Sequence, residues 1–193
     1  MYEYIFGKIA ELNPAYVIIE SNNIGYIVHI SLHTYSVLDK KDTYKLYTHQ
    51  IVREDTNMLF GFADKSEREI FRLLISVSGI GANTARVMLS SLKAGEIKTA
   101  IRTDDVNTLK SVKGIGAKTA QRVIIDLKDK IDKTEVEEEG IMSIDTSAGN
   151  EALSALVMLG FPKNKAEKVV NSILSKEKEL SVEELVKNAL KQL

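Results

Sequence analysis

Two stretches of this sequence are copies of one another, and that constrains the fold more than any other feature. Residues 74–92 read LISVSGIGANTARVMLSSL and residues 109–127 read LKSVKGIGAKTAQRVIIDL; at a constant offset of 35 they agree at 10 of 19 positions. A repeat this short is one supersecondary unit used twice. Each copy sets an apolar helical stretch, a Gly-Ile-Gly turn and a second helical stretch in order. The glycines, Gly79 and Gly81 and then Gly114 and Gly116, permit positive φ and carry no Cβ, so the turn is tight and its backbone open to close approach. Ile80 and Ile115 between them have one sensible direction, inward between the helices. The second helix of each copy, opening at Ala82-Asn83 and Ala117-Lys118, starts with unpaired N–H groups and the positive end of its dipole. That is an anion site.

Charge identifies the anion. The chain carries 26 Lys+Arg against 27 Asp+Glu, net −1. By segment, residues 1–64 hold 5 basic and 8 acidic side chains, residues 65–133 hold 14 and 8, and residues 134–193 hold 7 and 11. A net of +6 thus lies between flanks of −3 and −4, centred on the repeat. Lys113 and Lys118 flank the second turn, with Arg86 and Arg122 further along the helices; Asn83 stands where the second copy has Lys118. A nucleotide loop fits poorly: there is no third glycine at dinucleotide spacing, no preceding strand and no Walker Lys-Ser/Thr pattern. A DNA phosphate fits. A single Gly-Ile-Gly could be a plain helix–helix turn, but its duplication with shared flanks favours a phosphate grip. The first turn is expected to grip with less charge on a similar backbone.

The rest of the chain divides around the repeat. Ten of the twelve aromatics lie before residue 63, among short β-like runs at Tyr2–Ile9, Tyr16–Ile19, Gly25–Ile30, Tyr44–Val52 and Met58–Phe62. Five strands in so few residues predict a small barrel of the OB type, with a short helix near Tyr35–Leu38. Its acidic lean argues against a strand-binding groove, which is normally basic, so the aromatics are expected in the core or in subunit contacts. Helical spacing begins after Ser66, expected as an N-cap, and runs to about Ile131. Residues 134–148, TEVEEEGIMSIDTSA, read as an acidic flexible linker. Three further helical pieces follow, near Asn150–Leu159, Lys163–Ser175 and Ser181–Leu193, the last opened by a Ser181–Glu184 capping box.

Taken together, FGKIAEL, IGYIVHIS, VREDTNMLFGF, the two Gly-Ile-Gly hairpins and ALVMLGF resemble the RuvA family of bacterial Holliday-junction-binding subunits, over essentially the whole chain. The copies resemble tandem helix–hairpin–helix motifs, which hold duplex backbone without reading bases. The resemblance implies an α+β multidomain protein: an OB-fold barrel over 1–64, a tandem helix–hairpin–helix domain over 65–133, the linker over 134–148 and a UBA-like three-helix domain over 149–193. It implies a homotetramer, or paired tetramers, on four-way junction DNA. It implies recruitment of the RuvB motor hexamer, which hydrolyses ATP for branch migration in recombination, DNA repair and the SOS response, and work beside the RuvC resolvase. DNA contacts would fall on Gly79, Gly81, Ala82, Asn83, Lys113, Gly114, Gly116, Lys118 and Arg122. Glu54 and Asp55, in a turn that on residues alone reads as solvated, would form an acidic pin at the crossover. Leu156, Leu159 and Phe161 would meet RuvB, although core packing accounts for some of them.

Several chemistries are excluded or disfavoured. The chain has no Cys, hence no disulfide, thiolate metal site or cysteine nucleophile. His29, His33 and His49 lack acidic partners at ligand spacing, and no metal or other cofactor is expected. A helix–hairpin–helix glycosylase would need a catalytic Asp after the hairpin; Asp126, 10 residues past Gly116, reads as structural. Without a signal sequence or an apolar span, a cytoplasmic, non-membrane protein is expected, and the resemblance implies a non-catalytic one.

Overall fold

A computed structural model describes residues 2–38, 42–142, 148–175 and 180–193, with the backbone path alone over 132–142. Five strands, β1 (Tyr4–Asn13), β2 (Tyr16–Ser21), β3 (Ile24–Ile30), β4 (Thr43–Val52) and β5 (Asn57–Phe62), close a barrel in the order β1-β2-β3-β5-β4, and α1 (Leu32–Val37) sits between β3 and β4. Strand alternation sends Ile5 and Ile9 of β1 inward with Val17, Ile19, Val28, Ile30, Leu38 and Leu46. The barrel closes through a short parallel contact, His29 opposite Phe60 and Ile30 opposite Gly61. A Cβ at Gly61 would overlap Val28 Cγ1, so closure requires glycine there. The barrel core is therefore aliphatic. Tyr2, Tyr4 and Phe6, expected in a core or a contact, are half exposed on its outer face.

Phe60 and Phe62 belong to a second core. Both stack on Phe71 of α2 (Lys65–Ile75), ring centroids 5.0 Å apart in each pair. That core continues through α3 (Ala82–Ser91), α4 (Ala94–Arg102), α5 (Val106–Lys110) and the inner face of α6 (Ala117–Met142), where Ala120, Val123, Ile124, Leu127 and Ile131 recur at helical spacing. Residues 1–134 form one compact unit, the barrel and the repeat sharing this core. Arg68 reinforces the joint: it is buried, and its guanidinium meets the Glu3 carboxylate at 2.6 Å and the Glu3 carbonyl at 2.9 Å. That hydrogen bond holds the Glu3 carboxyl below its ordinary range.

Several boundaries differ from expectation: β1 runs on to Asn13 and α1 covers Leu32–Val37, and two differences in the helical region matter more. The N-cap of α2 is Asp64, not Ser66; its carboxylate accepts the Glu67 N–H at 2.7 Å. Helix α6 continues through Met142, into the segment read as a linker from 134. Lys133, Glu135 and Glu137–Glu139 are good helix formers, so the acidic run extends a helix already nucleated by the core-facing turns before it. Residues 143–147 of that segment lie outside the described residues.

The second unit contains α7 (Ala148–Met158), α8 (Lys163–Leu174) and α9 (Val182–Leu190). They pack Ala152, Leu156, Ala166, Val170, Ile173, Leu185 and Ala189 into a small core. The expected capping box is present: Ser181 Oγ accepts the Glu184 N–H, and the Glu184 carboxylate accepts the Ser181 N–H at 3.0 Å. Among the described residues no helix is long and apolar enough to cross a membrane.

Candidate nucleic-acid interface

The two repeats fold into turns with corresponding hydrogen bonds. In the first, Val77 N–H donates to Leu74 O, Ile80 N–H to Val77 O at 3.1 Å, and Ala85 N–H to Gly81 O at 2.9 Å. In the second, the matching bonds are Val112 to Leu109, Ile115 to Val112 at 3.0 Å and Ala120 to Gly116 at 2.9 Å. Gly79 and Gly114 turn the chain at φ +94 and +92, in the region that other L-residues adopt only under strain. Ile80 and Ile115 point inward as expected, each 5% exposed. They anchor the turns.

What faces outward is backbone. Gly81 is the N-cap of α3 with no side-chain cap, so the amides of its first turn have no partner within the helix. At Gly81 and Gly116 an added Cβ would meet nothing within 4 Å, and Gly81 has an ordinary φ of −85. The chain's own packing therefore does not demand glycine at either position.

Around this shared geometry the charges differ. Gly79, Gly81, Asn83, Lys113, Gly114, Gly116, Lys118 and Arg122 are exposed and Ala82 is partly so. Neither Lys113 nor Lys118 forms an ion pair among the described residues. Arg86 does not flank its turn freely: its Nη1 donates to the Ala15 carbonyl of the β1–β2 turn at 2.7 Å, bracing α3 on the barrel. Arg122 Nη1 donates to the Ser78 carbonyl of the first turn at 3.3 Å.

The acidic turn closes β4 onto β5. Arg53 N–H donates to Thr56 O at 2.7 Å and Thr56 N–H returns to Arg53 O, leaving Glu54 and Asp55 exposed at the tip. In the C-terminal unit the three expected contact residues separate. Leu156 is core and offers no surface, because α7 turns it toward α8 and α9. Phe161 is half-buried against the same core, after a turn at Gly160 with φ +97. Leu159 is 61% exposed beside Met158 at 88%. Met158 and Val157, which sequence reasoning did not single out, are also exposed; the signal was the apolar run 156–159, which no helix can bury on one face.

His33 has acidic neighbours that linear spacing did not reveal. Its ring lies 4.0 Å from Asp64, and potential ligand atoms of His33, Asp64 and Glu67 lie within 4.8 Å of one another. The acids have structural duties. Glu67, buried, accepts the Ser31 and Thr34 hydroxyls, while Asp64 caps α2. Burial pushes the Glu67 carboxyl up, and the two hydroxyl donors oppose it. Burial likewise lowers His29 and His49. Asp126 is exposed on the outer face of α6.

Comparison with known proteins agrees with this architecture. Residues 1–61 match the family described as RuvA N terminal domain, residues 71–129 the SAM-like helix-hairpin-helix tandem, and residues 147–193 the RuvA, C-terminal domain. A protein of Christiangramia forsetii named Holliday junction branch migration complex subunit RuvA is 53% identical over the whole of both chains. Proteins of the same name from Flavobacterium psychrophilum and Bacteroides fragilis are 52% and 49% identical, again over the full length of both.

Proposed function

The chain belongs to the RuvA family, and from that premise we propose that it binds four-way (Holliday) DNA junctions by their backbone, without reading sequence, and serves as the DNA-holding subunit of a branch migration complex. The observation that carries this reading is the pair of turns with matched backbone, the uncapped amides of α3, and glycines at 81 and 116 that internal packing does not require. Amides and lysines at a helix N-terminus hold phosphate oxygens but carry no base information. Junction preference then comes from where several such grips are placed. A cyclic tetramer matches a four-armed ligand in symmetry, and paired tetramers would cover both its faces.

The remaining roles follow the same premise. Residues 1–64 act as scaffold and 65–133 as the DNA-gripping domain. The 134–148 segment tethers 149–193, whose exposed Leu159, with Phe161 beside it, meets the RuvB hexamer. RuvB supplies ATP hydrolysis, the chain itself is non-catalytic, and RuvC acts on the same junction. The setting is cytoplasmic recombination and repair. Glu54 and Asp55 form the acidic pin, whose carboxylates repel phosphates and disfavour continuous duplex through the crossover.

Gel-shift titration of a four-way junction, a duplex and a single strand, at two salt concentrations, tests the reading. Tightest binding to the junction, weakening steeply with salt, is expected; equal affinity for all three would end it. Glu54→Gln with Asp55→Asn should leave overall affinity intact or raised while narrowing the gap between junction and duplex. An unchanged gap would remove the pin.

A further inference from the structure

The first hairpin lacks both cations of the second. Ser78 stands at the position of Lys113 and Asn83 at that of Lys118. The arginine on its own helix is engaged elsewhere, since Arg86 is bonded to the barrel at Ala15. Yet a cation is present at the first turn. Arg122, on α6 of the second motif, lies against the Ser78 carbonyl, at the residue where a copy of the second hairpin would carry lysine. The corresponding residue of the first copy is Val87, so this arginine is not part of the repeat. A guanidinium has five N–H donors and one carbonyl takes one of them. Arg122 is exposed and has no other bond among the described residues, so its remaining donors face solvent beside Gly79.

We propose that Arg122 is a positioning residue shared by the two motifs: it ties the first Gly-Ile-Gly turn to α6 and supplies there the phosphate-facing charge that the turn's own sequence lacks. The two hairpins then act as one grip, with three cations distributed over two backbone sites. This rests on the reading that the hairpins hold DNA phosphate. Arginine suits the task because its fork bonds a carbonyl and a phosphate oxygen together, which an ammonium does less directionally.

The test is a double-mutant cycle on the full chain, pairing Arg122→Gln with Asn83→Lys and titrating a linear duplex and a four-way junction across salt. Arg122→Gln should weaken binding roughly tenfold and flatten the salt slope by about one unit. Asn83→Lys should strengthen binding several-fold more in the Arg122→Gln background, where it restores most of the loss, than in the wild-type chain. Arg122→Lys, which keeps the charge, should retain most of the affinity. In the DNA-free chain, exchange of the Ile80 amide, bonded to the Val77 carbonyl, should quicken several-fold in Arg122→Gln while that of Ile115 holds. An equal gain from Asn83→Lys in both backgrounds would make Arg122 an independent contact of the second hairpin and overturn the proposal. So would unchanged exchange at the first turn. A wild-type chain that binds neither DNA would instead overturn the DNA reading on which the proposal rests.

Discussion

The two hairpins share a backbone and differ in charge. Their turning glycines agree within 2° in φ, at +94 and +92, their anchoring isoleucines are equally buried, and their internal hydrogen bonds match one for one. Ser78 and Asn83 against Lys113 and Lys118 are nevertheless differences of a full charge each, at the two positions nearest the turn. Geometry has been held through duplication while electrostatics diverged. One inward isoleucine and one positive-φ glycine per copy set the geometry, whereas the charges project into solvent, where the fold places no demand on them. The same backbone can therefore carry two degrees of phosphate attraction.

The shared scaffold gives the largest expected effect. Ile80→Ala and Ile115→Ala each delete buried volume between two helices and should each cost about 2–5 kcal/mol. Urea unfolding followed by tyrosine emission reads this directly, since all seven Tyr lie in the unit that contains both turns. The two losses should agree within about 1 kcal/mol. A gap beyond that would mean that the turns are alike in outline but not in the packing that holds them.

The charge difference gives the next effect. Lys113→Ala with Lys118→Ala should lower duplex affinity by about a hundredfold and reduce the salt slope by about two units, with stability unchanged, because neither lysine has an ion-pair partner among the described residues. Ser78→Ala with Asn83→Ala should change affinity less than about threefold and leave the slope alone. Equal slopes for the two double variants would break the comparison at its main point.

Much of this was legible in the sequence, for reasons that differ by element. The five strands, the inward isoleucines and the capping box at Ser181 depend on periods and spacings within a few residues, and each is present. Which aromatics are core could not be read, because composition does not say which face of a strand a residue occupies: Phe60 and Phe62 are core, though against Phe71 rather than inside the barrel, while Tyr4 and Phe6 alternate outward. The α6 extension through Met142 was missed because an acidic run lacks an apolar stripe even when it is helical. At the candidate site, glycines and lysines could be read from the repeat itself. Links between elements far apart in the chain could not: Arg122 with Ser78, Arg86 with Ala15, and His33 with Asp64 are separated by 44, 71 and 31 residues. No local pattern encodes such pairs.

The smallest effect isolates the backbone contribution. Gly79→Ala and Gly114→Ala force a Cβ into positive φ and should cost about 1–2 kcal/mol, so they cannot separate binding from folding. Gly81→Ala and Gly116→Ala can. Both sites have room for a methyl group, and the gain from reduced freedom in the unfolded chain is offset at the N-cap by alanine's poorer capping, so stability should change by less than about 1 kcal/mol. Duplex affinity should nonetheless fall several-fold, because a Cβ stands between the uncapped amides and a phosphate oxygen seeking them. The fall should be greater for Gly81→Ala than for Gly116→Ala. The first hairpin depends on backbone approach with one borrowed cation beside it, whereas the second keeps two lysines of its own that reach past a methyl group. Equal losses would mean that both turns hold phosphate chiefly through their amides, and that the lysines act at longer range than the turn itself.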